Sequence, residues 1–172
     1  MDICTSMVQE RKKLESILEN ADLKTKADAI EFADALTRII WNHSMLGLIY
    51  DYYDENILLK VSNGRKITNL DDVVMEFLGM QAAFPDMRVY IVESFASEDG
   101  NGEFTVYQRS YCEGTNTGAS QYGMPTGNKL NENNSMGQTV YKLKKVQNKW
   151  KVVTEYTMRS QSTIEKLLKN IQ

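Results

Sequence analysis

Glu155, Arg109 and the tyrosines near Arg109 are the residues of this 172-residue chain whose types and spacing suit chemistry. Acid/base work on a carbonyl compound needs a carboxyl group that burial keeps protonated. It also needs a second group to polarise the carbonyl oxygen. Glu155 suits the first role, among Val153, Tyr156 and Met158. Strand alternation, however, groups Lys149, Lys151, Val153, Glu155 and Arg159 on one face and Trp150, Val152, Thr154, Tyr156 and Met158 on the other. That parity favours a solvated Glu155, and an acid/base role requires the opposite. Between 103 and 113, Tyr107, Arg109, Tyr111 and Glu113 share one face. They suit either an anionic or carbonyl-bearing ligand or a ladder of Tyr and Arg at a dimer face, where both residue types are enriched.

Other groups carry less. His43 is the single histidine, so one chain cannot build a His-rich zinc site, and a Ser/His/Asp or Cys/His nucleophile would have to use it. Cys4 and Cys112 are the two cysteines, which argues against a disulfide framework and favours a reducing compartment. Cys112 reads as a small buried hydrophobe, and Asp54 and Asp86 as turn carboxylates. The segment Gly123-Met124-Pro125-Thr126-Gly127-Asn128-Lys129 lacks the spacing of a phosphate-binding loop. Nine methionines suit an adaptable apolar lining, or plain packing.

With 20 Lys and Arg against 23 Asp and Glu, the net charge of -3 argues against a nucleic-acid partner. The longest apolar run, Met45 to Ile49, is far below the ~20 residues that span a bilayer. The first residues show no basic or apolar leader pattern. The expectation is a cytoplasmic protein with no membrane partner.

Several elements must position these groups. A charged helix is expected over 7–20, and a second after Thr25, with Asp28 as capping-box partner and Ile30, Ala33 and Ile40 on its stripe. A helix over Met45 to Tyr53 precedes a strand at Ile57 to Val61. Asn69 caps a helix that Pro85 ends. Alternation then predicts strands at Met87 to Phe95 and Glu103 to Glu113, a long loop from Gly114 to Ser135, and a hairpin of Met136 to Val146 with Lys149 to Met158. Ser162-Thr163-Ile164-Glu165 reads as a capping box before a stripe of Ile164, Leu167, Leu168 and Ile171. Helices followed by antiparallel strands imply an α+β fold with a curled sheet.

Three segments in order resemble a known pattern. Phe84-Pro85-Asp86-Met87-Arg88, Gly114-Thr115-Asn116-Thr117-Gly118 and Tyr122-Gly123-Met124-Pro125-Thr126-Gly127-Asn128-Lys129 are similar to motifs of the SnoaL-like polyketide cyclase family. They follow Tyr50-Asp51-Tyr52-Tyr53-Asp54, which resembles the end of that family's helix before the first strand. The resemblance covers roughly 30–160. It implies the cone-shaped nuclear-transport-factor-2-like fold of the cystatin-like superfamily: a curved antiparallel sheet closed by helices around an apolar pocket.

On that basis 25–160 is the cone domain, 1–24 an N-terminal helical extension and 161–172 a C-terminal amphipathic helix. The family implies cofactor-free, metal-free acid/base ring closure. Two departures stand out. Asn116 occupies the family's histidine position, and Val153 to Gln161 contains no Asp, leaving Glu155 as its one carboxylate. Two functions follow as expectations. One is a small-molecule enzyme of cyclase or isomerase type, with Glu155 catalytic and Tyr107, Arg109, Tyr111 and Asn116 binding an apolar, carbonyl-bearing ligand. The other is a non-catalytic ligand-binding or dimerisation module. A homodimer through the outer sheet face is expected in either case.

Overall fold

Local capping starts the helices where the sequence places them. In the computed structural model, which describes residues 3–169, α1 (Ile3–Glu19) is followed by α2 (Lys26–Asn42). Thr25 Oγ1 accepts the Asp28 N–H at 3.2 Å, and the Asp28 carboxylate accepts the Thr25 N–H at 2.8 Å. This reciprocal pair satisfies two of the orphan donors of the first turn. Ala29, Phe32, Ala33, Leu36, Ile39 and Ile40 then recur at helical spacing and are fully buried, forming the seam between α2 and the sheet. Leu14 and Leu18 of α1 join the same core, so α1 packs against α2.

The chain continues through α3 (Leu48–Tyr52), β1 (Tyr53–Lys60), β2 (Lys66–Ile67) and α4 (Leu70–Ala83). Asn69 caps α4 by accepting the Asp72 N–H at 2.9 Å. The helix expected to run through Tyr53 stops at Tyr52, and Tyr53 opens β1 in extended conformation. Next come β3 (Arg88–Glu98), β4 (Phe104–Thr115), β5 (Lys129–Leu130), α5 (Glu132–Ser135), β6 (Gly137–Val146), β7 (Lys149–Arg159) and α6 (Gln161–Lys169). The long loop therefore holds a short strand and a helical turn.

The sheet order is β2-β1-β7-β6-β4-β3, with β5 paired to β4. It is curved and unclosed, and its pairs are antiparallel except β1 with β7, which is parallel. Ser160 caps α6 in place of Ser162: its Oγ lies 3.4 Å from the Thr163 N–H that donates to it. Ile171, the last residue of the expected stripe, lies outside the described residues.

One irregularity decides the orientation of the site. On β6 and β7, Leu143 faces Val152, whereas the adjacent Lys142 faces Thr154. Val153 is thus an extra residue, a β-bulge, and the inward parity of β7 changes across it. Trp150 and Val152 face inward before the bulge; Glu155, Thr157 and Arg159 do so after it.

Candidate active site

The inner sheet face, α2, α4 and α6 enclose a cavity of about 350 Å³. Trp41, Phe77, Met80, Met87, Leu130, Ile164 and Leu168 give it apolar walls. Trp41 and Phe77 pack ring to ring at 4.6 Å. The helix α6 helps close it, because the Leu167 carbonyl accepts a hydrogen bond from Asn128 Nδ2 at 2.8 Å.

Glu155 lies in this cavity and is 4% exposed, which corrects the solvated position that simple alternation predicts. The bulge at Val153 is the physical reason. Tyr53 Oη donates to Glu155 Oε2 at 2.8 Å, and Thr157 Oγ1 donates to Oε1 at 3.0 Å. Burial raises the carboxyl pKa above its ordinary value, while the Tyr53 and Thr157 donors and the Arg159 charge act in the opposite direction. Burial, and then the Glu155 charge, push the Tyr53 phenol well up, so it stays a proton-bearing donor.

A second polar row crosses the cavity. Gln108 Nε2 donates to Asp34 Oδ1 at 2.8 Å, which fixes its amide orientation, and Thr37 Oγ1 donates to Gln108 Oε1 at 3.0 Å. Tyr141 Oη lies 3.0 Å from Thr37 Oγ1. Since the Thr37 proton is committed to Gln108, Tyr141 is the donor of that pair and keeps its lone pairs for the cavity. Arg159, on the same inward row of β7 as Glu155 and Thr157, supplies a guanidinium.

Four other residues expected to touch ligand sit elsewhere. Tyr107, Arg109 and Tyr111 point from the opposite face of β4, whose inward row is Gln108, Ser110 and Cys112. Tyr107 stacks on Phe95 at 4.7 Å and Tyr111 on Tyr90 at 5.1 Å. Arg109 Nε pairs with Glu93 Oε1 at 3.0 Å. These three form the cross-strand ladder and do not line the cavity. Asn116 is buried and already engaged: its Nδ2 donates to the Ala83 carbonyl at 2.8 Å, and its Oδ1 accepts the Thr126 N–H at 2.7 Å. It clasps the loop to the end of α4. Gly118 makes that approach possible, since a Cβ there would collide with the Ala82 carbonyl.

Strand alternation and local motifs do not point to Tyr53, Thr157, Tyr141, Gln108 or the inward turn of Arg159. Only the doublet Val152-Val153, one apolar residue too many for alternation, signals the bulge. Among the described residues no group of three or more His, Cys, Asp or Glu is placed to hold a metal ion. The His43 side chain is 5% exposed, 3.5 Å from a Glu10 carboxylate oxygen and outside the cavity.

No protein-family model matches the chain, and no curated protein does. Solved structures do match. A protein described as a SnoaL-like polyketide cyclase, from Jannaschia sp. CCS1, aligns with a TM-score of 0.65 at 9% identity, over 88% of this chain and 98% of that one. The chain's fold is nuclear-transport-factor-2-like. AclR of Streptomyces galilaeus, described as a hydroxylase, aligns at 0.59 and 22% identity, over 81% of this chain and 80% of its own. A nuclear-transport-factor-2-like protein of Rhodospirillum rubrum aligns at 0.56 and 12%, over 76% and 97%. At these identities the likeness is one of fold, and function rests on the cavity.

Proposed function

We propose that the protein is a small-molecule enzyme of the SnoaL-like kind, moving protons on a carbonyl-bearing, mainly apolar substrate without a cofactor. One observation carries this reading: a glutamate, buried and hydrogen-bonded by two hydroxyls, inside an apolar cavity. The volume is at the lower end of pockets that enclose small ligands, about 300–1,000 Å³. Glu155 takes or gives the proton, Tyr53 and Thr157 hold its carboxyl in one orientation, and Arg159 puts a positive charge on the same wall of the cavity. The likeness to a protein described as a polyketide cyclase agrees with this chemistry.

The same reading has the exposed rings of the outer ladder, Phe95 and Tyr90, meet a second copy of the chain. It places the protein in the cytoplasm, in keeping with Cys4 and Cys112 as free thiols. No helix of the described residues is long and apolar enough to cross a membrane.

The test is exchange of the α-protons of α-tetralone in D₂O, followed by NMR. Wild type is expected to accelerate exchange, and Glu155→Gln to lower that rate by about 10²–10⁴-fold, the usual worth of a positioned general base. Equal rates for the two proteins would overturn the assignment and favour the non-catalytic binding module.

A further inference from the structure

Arg159 ends β7, and its side chain enters the cavity across Gly137, its register partner on β6. A Cβ at 137 would collide with the arginine stem, so the glycine keeps this path open. The guanidinium reaches the point where β4 and β6 separate. There Nη1 donates to the Ser135 carbonyl at 2.6 Å and the Ser110 carbonyl at 3.1 Å, and Nη2 donates to Ser110 Oγ at 2.9 Å. All three acceptors are neutral. Nη1 is then fully used, and the Nε–H and the second Nη2–H make up the remaining paired edge of the fork.

Arg159 forms no ion pair with any carboxylate among the described residues. The other charges on the cavity wall balance. Arg65 is paired to Glu76, while Glu165 and Lys169 sit one turn apart on α6. Glu155 is the one carboxylate left, and two hydroxyl donors rather than a cation hold it. A half-buried guanidinium with only neutral partners lacks the charge-assisted, two-point partner that suits it best, a carboxylate.

We propose that the substrates of this cavity carry a carboxylate, which sits on the free edge of Arg159, with their apolar body against Trp41, Phe77, Met80 and Leu168. The proposal rests on the reading of the cavity as a substrate site and adds the substrate class. It requires the acid group and the apolar body in one molecule, because guanidinium and aromatic wall belong to one enclosed space.

Calorimetry with a panel of monocarboxylates from benzoate to 2-naphthylacetate, each beside its methyl ester, tests this on the full chain. In wild type the best acid is expected to bind at least about tenfold tighter than its ester. Arg159→Met should bring acid and ester within about twofold of each other, and Arg159→Lys should keep part of the preference by retaining charge without the fork. The wild-type comparison stands even if a variant fails to fold. Equal binding of acid and ester by wild type would overturn the carboxylate proposal alone and leave Arg159 as a plug for two carbonyls. Failure of every acid and every ester to bind would overturn the substrate-site reading with it.

Discussion

The outer row of β4 and the inner row of β7 are built from similar parts and do opposite things. Outside, Arg109 meets Glu93 across a strand pair, both half-exposed, and the tyrosines stack on neighbouring rings. Water screens such a pair, and its worth is small. Inside, Glu155 and Arg159 lie on one strand without forming an ion pair, one held by hydroxyls and the other by carbonyls. The walls are apolar, so a charge change there is costly and specific partners decide it. The residue types alone do not distinguish a solvated ladder from a reactive site; one extra residue in β7 does.

Changes at the inner row should therefore be large and those at the outer row small. Gly137→Ala is expected to have the largest effect on stability, about 1–3 kcal/mol, because the new Cβ overlaps the Arg159 stem and the Met158 carbonyl. Urea denaturation measures it. A cost near zero would mean that Arg159 can leave its path freely, and the contrast between the rows would weaken.

A pH-dependent effect comes next. The Glu155 carboxyl has a raised pKa in the folded state, so the native protein holds that proton more tightly than the unfolded chain does. Its contribution is fully present below the ordinary value of 4.5 and is lost as pH rises through the folded value. Glu155→Gln removes this loss. As pH rises above 4.5 the variant should gain stability relative to wild type, in denaturant midpoints taken at each pH. A constant difference would contradict the burial. Smallest is the outer pair: a double-mutant cycle on Glu93→Ala and Arg109→Ala should give a coupling of only about 0.2–1 kcal/mol. A coupling of several kcal/mol would make the outer row more than a solvated ladder.

Much of the fold is legible in the sequence because its signals are local. The Thr25 and Asp28 box, the Asn69 cap, the stripe of α2 and the two hairpins each depend on residues a few positions apart. The site is less legible. Glu155 is recognisable as the only carboxylate of its window, yet its direction depends on a bulge fixed by pairing with β6. Tyr53 meets it from 102 positions away, across the parallel β1 and β7 pair, which no local period reveals. Asn116 and the Tyr107, Arg109, Tyr111 row have suitable chemistry in the wrong place: one is spent on the loop, and the others lie behind the sheet.

The most direct measurement is the titration of Glu155 itself, by carbon-detected NMR of protein labelled at the glutamate carboxyl carbons and assigned with Glu155→Gln. A midpoint above 4.5 is predicted, because burial is the largest influence on this carboxyl, and it should rise further in Tyr53→Phe, where one donor to the carboxylate is lost. A midpoint at or below the ordinary glutamate value, unmoved by Tyr53→Phe, would contradict the account of a buried, proton-holding glutamate at the centre of the cavity.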